Sequence, residues 1–383
     1  MLDSLEIKNF RNLKELRITS LGRVNLFIGK NNTGKSTILE ALAIYASKGE
    51  FKTIFELLEE RGEYVSVEAI RQSEAGKNIT DYNMQALSTL FTDRVISFDK
   101  KYGISISQID PSIHQEENSE HYVMMLRFVP FRTEVVDDGQ GGRIRRRNFM
   151  LQDDALQEAQ HDNLDTGFMR MGGGFFSTTS LDKILNDNVA YTDNGRKDNF
   201  QFIKTNTIDR NINSKLFDSI ALTDKEQYVV DALKIIEPTT ERIAFVGNTS
   251  QERVAVIKLA NNPRILPLRS MGDGMNRILT IILAMVNADN GFLLIDEFEN
   301  GLHYTTQEQL WKVIFSLAKQ LNIQVFATTH SEDCIRGFEA VLNSSGQGDG
   351  KLIRLHNENG MIKEVEFNAE ELKIATNRNI EIR

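Results

Sequence analysis

A chain of 383 residues, with 40% hydrophobic and 26% charged positions, carries apolar material for about two ordinary globular domains. Its net charge of −9 argues against sequence-independent coating of nucleic acid, because that affinity comes from Lys and Arg meeting phosphates. Cys334 is the single cysteine, which excludes an internal disulfide and a cysteine-based zinc site and fits a reducing compartment.

Residues 1–6 are acidic and then alternate, with neither the basic start nor the apolar core of a signal peptide. The uncharged runs at 278–286 and 292–295 are too short to cross a bilayer, so a cytoplasmic protein with no membrane partner is expected. Leu2, Leu5, Ile7 and Phe10 alternate with polar residues, and Leu13, Leu16, Ile18 and Leu21 repeat the pattern after Arg11-Asn12; this predicts a strand pair. A further strand at 24–28 runs into Gly29-Lys30-Asn31-Asn32-Thr33-Gly34-Lys35-Ser36, and an apolar helix follows over about 35–46. That order of strand, G-x-x-x-x-G-K-S and helix marks a phosphate-binding loop rather than a glycine-rich turn. The glycines let successive N–H groups curl inward, the helix start adds partial positive charge, Lys35 reaches the β- and γ-phosphates, and Ser36 is placed to hold Mg2+.

A second helix over 52–61 and a strand over 65–70 come next. Between 76 and about 240 the α/β rhythm lapses. A helix near 82–92 and strand-like segments at 103–109, 121–131 and 143–151 precede an Asn- and Asp-rich tract punctuated by Gly172-Gly173-Gly174 and Thr192-Asp193-Asn194-Gly195. The run Arg143-Ile144-Arg145-Arg146-Arg147, after the turn-prone residues 137–142, reads as a basic hairpin arm, either solvated or touching nucleic acid or an acidic partner. A helix over 214–221 and a second one, opened by Thr223 to Glu226 in capping-box form and stopped by Pro238, close the segment.

Strands return at 243–246 and 254–259, and Ser270-Met271-Gly272-Asp273-Gly274 then precedes an apolar-periodic helix, offering a second anion site at a helix start. Phe292-Leu293-Leu294-Ile295-Asp296-Glu297 has the form of a buried parallel strand that delivers two acids at its C-terminal edge, where open α/β sheets place ligands. Glu299-Asn300-Gly301-Leu302-His303 leads into a helix over 305–321, and a strand over 323–327 ends at Thr328-Thr329-His330-Ser331, which brings His330 to that same edge. A hairpin turning at 357–360 and a short helix near 369–375 complete the pattern.

Taken together, these motifs resemble the ATP-binding-cassette (ABC) class of P-loop ATPases, in particular its SMC-like and OLD-like (overcoming lysogenization defect) branch. Asn9-Phe10-Arg11-Asn12 ahead of the phosphate loop, and Asp296-Glu297-Phe298-Glu299-Asn300-Gly301-Leu302-His303, carry the likeness; Tyr304 stands where members often have proline. The resemblance implies an α/β P-loop NTPase of the ABC-ATPase head type, a mixed β-sheet with flanking helices and a mixed α+β insertion. Residues 1–75 and 241–383 would be the two lobes of the head, and 76–240 a regulatory or partner-binding insertion. It implies ATP and Mg2+ as cofactors, with Gly29, Asn31, Asn32, Thr33, Gly34, Lys35, Ser36 and Thr37 around the phosphates, Arg11 and Asn12 near the nucleotide, and Ser36 and Asp296 at the metal.

By the same resemblance, Glu297 is the general base, His330 the switch histidine at the γ-phosphate, and Lys35 a catalytic cation. Ser270, Gly272 and Gly274 would meet the γ-phosphate of a nucleotide held by another subunit, which implies a homodimer or higher homo-oligomer. Gln72 and Gln108 are the candidates for the glutamine loop. The branch suggests that ATP-dependent pairing controls a separate effector in prokaryotic anti-phage defence, with a TOPRIM-type nuclease as one candidate; no TOPRIM-like block of carboxylates follows the last hairpin, so a nuclease would be another protein. One alternative is an SMC-like repair or recombination ATPase that clamps DNA directly, for which Arg143, Arg145, Arg146 and Arg147 are the available contact. Another is the energising subunit of a transporter, which normally has a fuller L-S-G-G-Q signature.

Overall fold

The computed structural model describes residues 1–64, 79–109, 123–137, 143–150, 165–172, 175–181, 198–205, 211–247, 253–344, 349–367, 371, 372 and 374. Two compact units result: residues 1–3, 19–39 and 198–383 form the first, and residues 4–18 and 40–197 the second. The expected strand at 65–70, Gln72, the 192–195 turn and most of the C-terminal helix lie outside the described residues.

The first unit is organised on a six-stranded sheet in the order Met361–Phe367, Gly350–Glu358, Val24–Ile28, Gln324–Thr328, Phe292–Ile295 and Phe200–Ile203. Five of these strands run parallel, and Met361–Phe367 turns back antiparallel, giving the mixed sheet of a P-loop head. Val24–Ile28, Gln324–Thr328 and Phe292–Ile295 are buried along their whole length, because in a parallel sheet flanked by helices neither face meets water. Their register pairs Leu26 with Ala327 and Ala327 with Ile295, so the chain leaves all of these strands at one edge. The helices Asp273–Asn287, Tyr304–Gln320 and Glu332–Leu342 supply much of the core, with Trp311 fully buried against Phe298 and Phe338. A separate three-stranded sheet, Thr240–Val246, Val254–Leu259 and Leu266–Pro267, precedes Ser270.

The second unit is a seven-stranded antiparallel sheet that includes Leu5–Phe10, Leu13–Ile18, Ile104–Ser107, Val123–Asp137, Asp165–Gly172 and Phe175–Ser180, with Arg143–Phe149 paired to the far end of Val123–Asp137. Phe51, Phe91, Phe128 and Phe168 form its aromatic core. Thus the expected first strand pair forms, but in a different sheet from Val24–Ile28.

The α/β P-loop architecture is as the motifs predict. Three strands in the polar tract, Asp165–Gly172, Phe175–Ser180 and Phe200–Ile203, were not anticipated, nor was the helix Glu332–Leu342. Residues 198–240 fall in the first unit, because Phe200–Ile203 extends the parallel sheet beside Phe292–Ile295. Within Asp165–Gly172, a Cβ on Gly167 would lie 2.5 Å from the Phe149 ring, so the glycine makes room for an aromatic inside the strand.

Candidate nucleotide site

The loop 29–36 connects the buried strand Val24–Ile28 to the helix Lys35–Ala46. Gly29 has φ +144 and its absent Cβ would lie 2.3 Å from the Leu355 carbonyl oxygen, so that position tolerates no side chain; Gly34, at φ +88, makes the second bend. Asn32 also sits in the left-handed region, at φ +62, and Thr33 Oγ1 donates to the Lys30 carbonyl at 2.8 Å. Asn31 and Asn32 are on the exposed side of the loop, whereas Thr33 and Thr37 are buried.

Lys35 Nζ donates to the carbonyls of Gly29 and Lys30 at 2.8 and 2.9 Å, folded back over the loop. Burial pushes its ammonium down to about 8, against the pull of Asp296, Glu299 and Glu297. Its hydrogen bonds go to carbonyls and the nearby carboxylates offset the burial only in part, so an anion over the loop would favour its charged form.

Asp296 follows directly on Phe292–Ile295 and gathers hydroxyls from three other segments. Its Oδ1 accepts from Ser36 Oγ at 2.9 Å and from Thr328 Oγ1 at 2.7 Å, and its Oδ2 accepts from Thr205 Oγ1 at 3.3 Å. Ser36 and Asp296 therefore converge as the motif predicts, and a serine hydroxyl beside one carboxylate suits Mg2+, which is usually held by one or two carboxylates together with substrate phosphates. No cluster of three or more acidic, His or Cys ligands occurs among the described residues, so an all-protein metal cage is not formed there.

Glu297 has φ +48, a left-handed conformation costing about 1–2 kcal/mol for a residue with a side chain. Its N–H donates to Thr328 Oγ1 at 2.9 Å. Phe298 stacks on Trp311 with ring centroids 4.0 Å apart and anchors the turn behind it. Glu299 ties two strand ends together, since its carboxylate accepts from Thr329 Oγ1 at 2.7 Å and from the His330 backbone N–H at 2.8 Å. His330 is thereby held beside the acidic turn. His303, by contrast, caps the helix Tyr304–Gln320 by accepting from the Thr305 N–H at 3.4 Å.

The sequence reading missed Thr205, Thr328 and Arg277. Arg277, on the helix Asp273–Asn287, donates to the Asp296 carbonyl at 3.2 Å and to the Lys204 carbonyl at 3.4 Å. Burial lowers the Arg277 guanidinium below its ordinary value, while Asp296, Glu297 and Glu299 draw it upward. The available signal for Arg277 was a cation in an otherwise apolar-periodic helix; Thr205 followed a four-residue strand, Phe200–Ile203, too short to stand out within the polar tract.

The signature residues stand apart from this cluster in hydrogen bonding. Ser270 is exposed and donates to the Pro267 carbonyl at 2.6 Å. Gly272 is exposed at φ +103 with open space where a Cβ would be, and Gly274 packs on the Gly301 carbonyl.

In the second unit, Arg11 sits in the tight loop between Leu5–Phe10 and Leu13–Ile18, with Asn12 beside it. The Arg11 guanidinium is buried and ion-paired to Glu40 at 2.7 Å and Glu63 at 2.8 Å, and Glu40 also binds Arg61 at 2.6 Å. Burial raises the Glu40 carboxyl above its ordinary value despite both arginines. Gln108 lies just after Ile104–Ser107. Arg143–Phe149 is largely exposed; Arg143 pairs with Asp137, Arg145 with Val135, Arg146 with Glu134 and Arg147 with Thr133.

The family profile described as AAA ATPase domain matches residues 1–335. An ATP/GTP phosphatase of Helicobacter pylori is 26% identical over 364 residues, covering 89% of this chain and 88% of that protein. The DNA replication and repair protein RecF of Lactobacillus acidophilus is 30% identical over 155 residues, which are 40% of this chain and 36% of RecF. Among solved structures, the SMC head domain from Thermotoga maritima aligns with a TM-score of 0.43 at 12% identity, over 96% of this chain and 99% of that one.

Proposed function

Because the chain belongs to the AAA ATPase domain family, we propose that it binds ATP with Mg2+ on residues 29–37 and hydrolyses it. The observation that carries this reading is the convergence of Ser36, Thr205 and Thr328 on Asp296, with the undercompensated Lys35 in the same loop. Backbone N–H groups of the loop and the Lys35 ammonium bind and orient the phosphates; Ser36 and Asp296 would hold Mg2+, which would supply charge neutralisation to the phosphates. Glu297 takes a proton from water as its oxygen attacks the γ-phosphorus, and the bond to the β–γ bridging oxygen breaks to leave ADP. His330 orients the γ-phosphate from the neighbouring strand end. Replacement of Glu297 by glutamine is expected to lower hydrolysis by about 10²–10⁴ with ATP still bound. A Glu297→Gln chain that hydrolyses ATP at the wild-type rate would overturn the assignment of the base.

The open, exposed signature turn supports a site completed in trans: Ser270, Gly272 and Gly274 of one copy would meet the γ-phosphate held by another. On the resemblance to the OLD-like branch, that pairing would gate a separate effector, with a TOPRIM-type nuclease as first candidate, in anti-phage defence.

A second reading, direct clamping of DNA, is favoured by one feature. Arg143, Arg145 and Arg147 alternate onto one face of an exposed edge strand, spaced by about 6.8 Å for every second residue. Partial similarity to RecF fits this reading. On that face Asp137 lies opposite Arg143, and on the other face Glu134 lies opposite Arg146, so two of the four arginines are offset, which weakens it. If the arm clamps DNA, neutralising Arg143, Arg145, Arg146 and Arg147 together abolishes DNA stimulation of hydrolysis; unchanged stimulation would remove the arm from that role.

A further inference from the structure

The peptide group joining Asp296 to Glu297 is held at both ends. Its carbonyl oxygen accepts from Arg277 Nη2 at 3.2 Å, and its N–H donates to Thr328 Oγ1 at 2.9 Å. The orientation of that peptide plane sets φ of Glu297, which stands at +48 in a region that side chains rarely adopt. Such a conformation persists only where surrounding contacts over-determine it.

Arg277 is built for this clamp. Its other terminal nitrogen donates to the Lys204 carbonyl at 3.4 Å, at the end of the adjacent parallel strand, so one guanidinium spans two strand ends. Its Nε is buried and has no hydrogen-bond partner among the described residues, so the two carbonyl bonds are the ones through which it engages the strand ends there. Arg277 is also about one helical turn beyond Gly274, where an added Cβ would lie 3.2 Å from the carbonyl oxygen of Gly301 in the loop that follows Glu297, so the two backbones approach closely there. The helix therefore joins the signature turn to the backbone of the acidic turn by two routes.

We propose that Arg277 is a positioning residue for hydrolysis: by clamping the Asp296–Glu297 peptide it aims the Glu297 carboxylate at the attacking water, and it links that aim to the position of the signature turn. The proposal rests on the reading of Glu297 as the base. In this role Arg277 acts through Glu297, by way of the peptide group it holds.

The test is a two-by-two comparison of ATP turnover with Arg277→Met, which keeps the aliphatic stem, and Glu297→Gln, singly and together. ATP affinity is measured on each chain with a fluorescent ATP analogue, and thermal unfolding establishes that each is folded. Arg277→Met is expected to lower kcat by about 10²-fold, the cost of a displaced catalytic group, with ATP affinity within about threefold of wild type. Arg277→Lys, which keeps one donor, is expected to recover part of the loss. In the Glu297→Gln background, with residual turnover followed over hours at high enzyme concentration, Arg277→Met is expected to change the rate by less than about twofold, because the group it positions is gone. An equal loss in both backgrounds, or a loss of ATP affinity matching the loss of kcat, would overturn the proposal and leave Arg277 a structural residue. Wild-type turnover by Glu297→Gln itself overturns instead the base assignment beneath it.

Discussion

Burial holds the Lys35 ammonium at about 8, below its ordinary 10.5, although Asp296, Glu299 and Glu297 draw it back. The unfolded chain therefore binds more protons than the folded one between about 8 and 10.5, and this group's contribution to stability rises with pH across that window. Bound phosphate reverses the preference, since it favours the charged ammonium. Above pH 8, ATP binding should thus take up a proton at Lys35, and affinity should fall with rising pH by up to about tenfold per unit. Calorimetric titration at pH 9 in two buffers of unlike ionisation enthalpy is expected to register uptake approaching one proton for wild type and none at that position for Lys35→Arg. Equal apparent heats for wild type in both buffers would show that Lys35 is already charged in the empty loop.

At the scale of elements, the acidic turn depends on what lies behind it. Phe298 stacks on Trp311 with an interplanar angle of 4°, and Trp311 Nε1 donates to the Cys334 carbonyl at 3.2 Å, joining the turn to the helices Tyr304–Gln320 and Glu332–Leu342. Trp311→Ala is expected to cost about 3–5 kcal/mol, read as a lower urea midpoint, because it removes a buried ring and leaves a cavity. Turnover should drop as well, since Glu297 adjoins Phe298; an unchanged urea midpoint would mean that the stack carries no stability.

The same elements show what could be read in advance. Val24–Ile28, Phe292–Ile295 and Gln324–Thr328 announce themselves as apolar runs ending in chemistry, because a parallel strand is buried on both faces and delivers polar residues only at its edge. Ser36 and Asp296 were legible for that reason, and they meet at 2.9 Å. Thr205 and Arg277 were not, because their roles come respectively from a carboxylate partner 91 residues away and a carbonyl partner 19 residues away, which no local period records. Asp165–Gly172 was hidden by glycines, one of which serves the packing of Phe149. Arg11 was legible as part of a motif, but its guanidinium is engaged by Glu40 and Glu63.

For the whole molecule, none of the helices in the described residues is long and apolar enough to cross a membrane. In the proposed site divided between copies, one copy supplies Lys35 and Asp296 and another offers its exposed Ser270 turn. Its most direct test mixes two chains that are each inactive in hydrolysis: Lys35→Ala, which cannot hold ATP, and Ser270→Arg, which blocks the signature turn. If sites are completed in trans, a mixed pair contains one site with an intact loop and an intact signature, and equimolar mixing restores ATP hydrolysis toward about one quarter of the wild-type rate on simple random pairing of equally active sites. Hydrolysis that stays at the level of the separate chains, although the two are shown to associate with ATP, would contradict a site shared between copies.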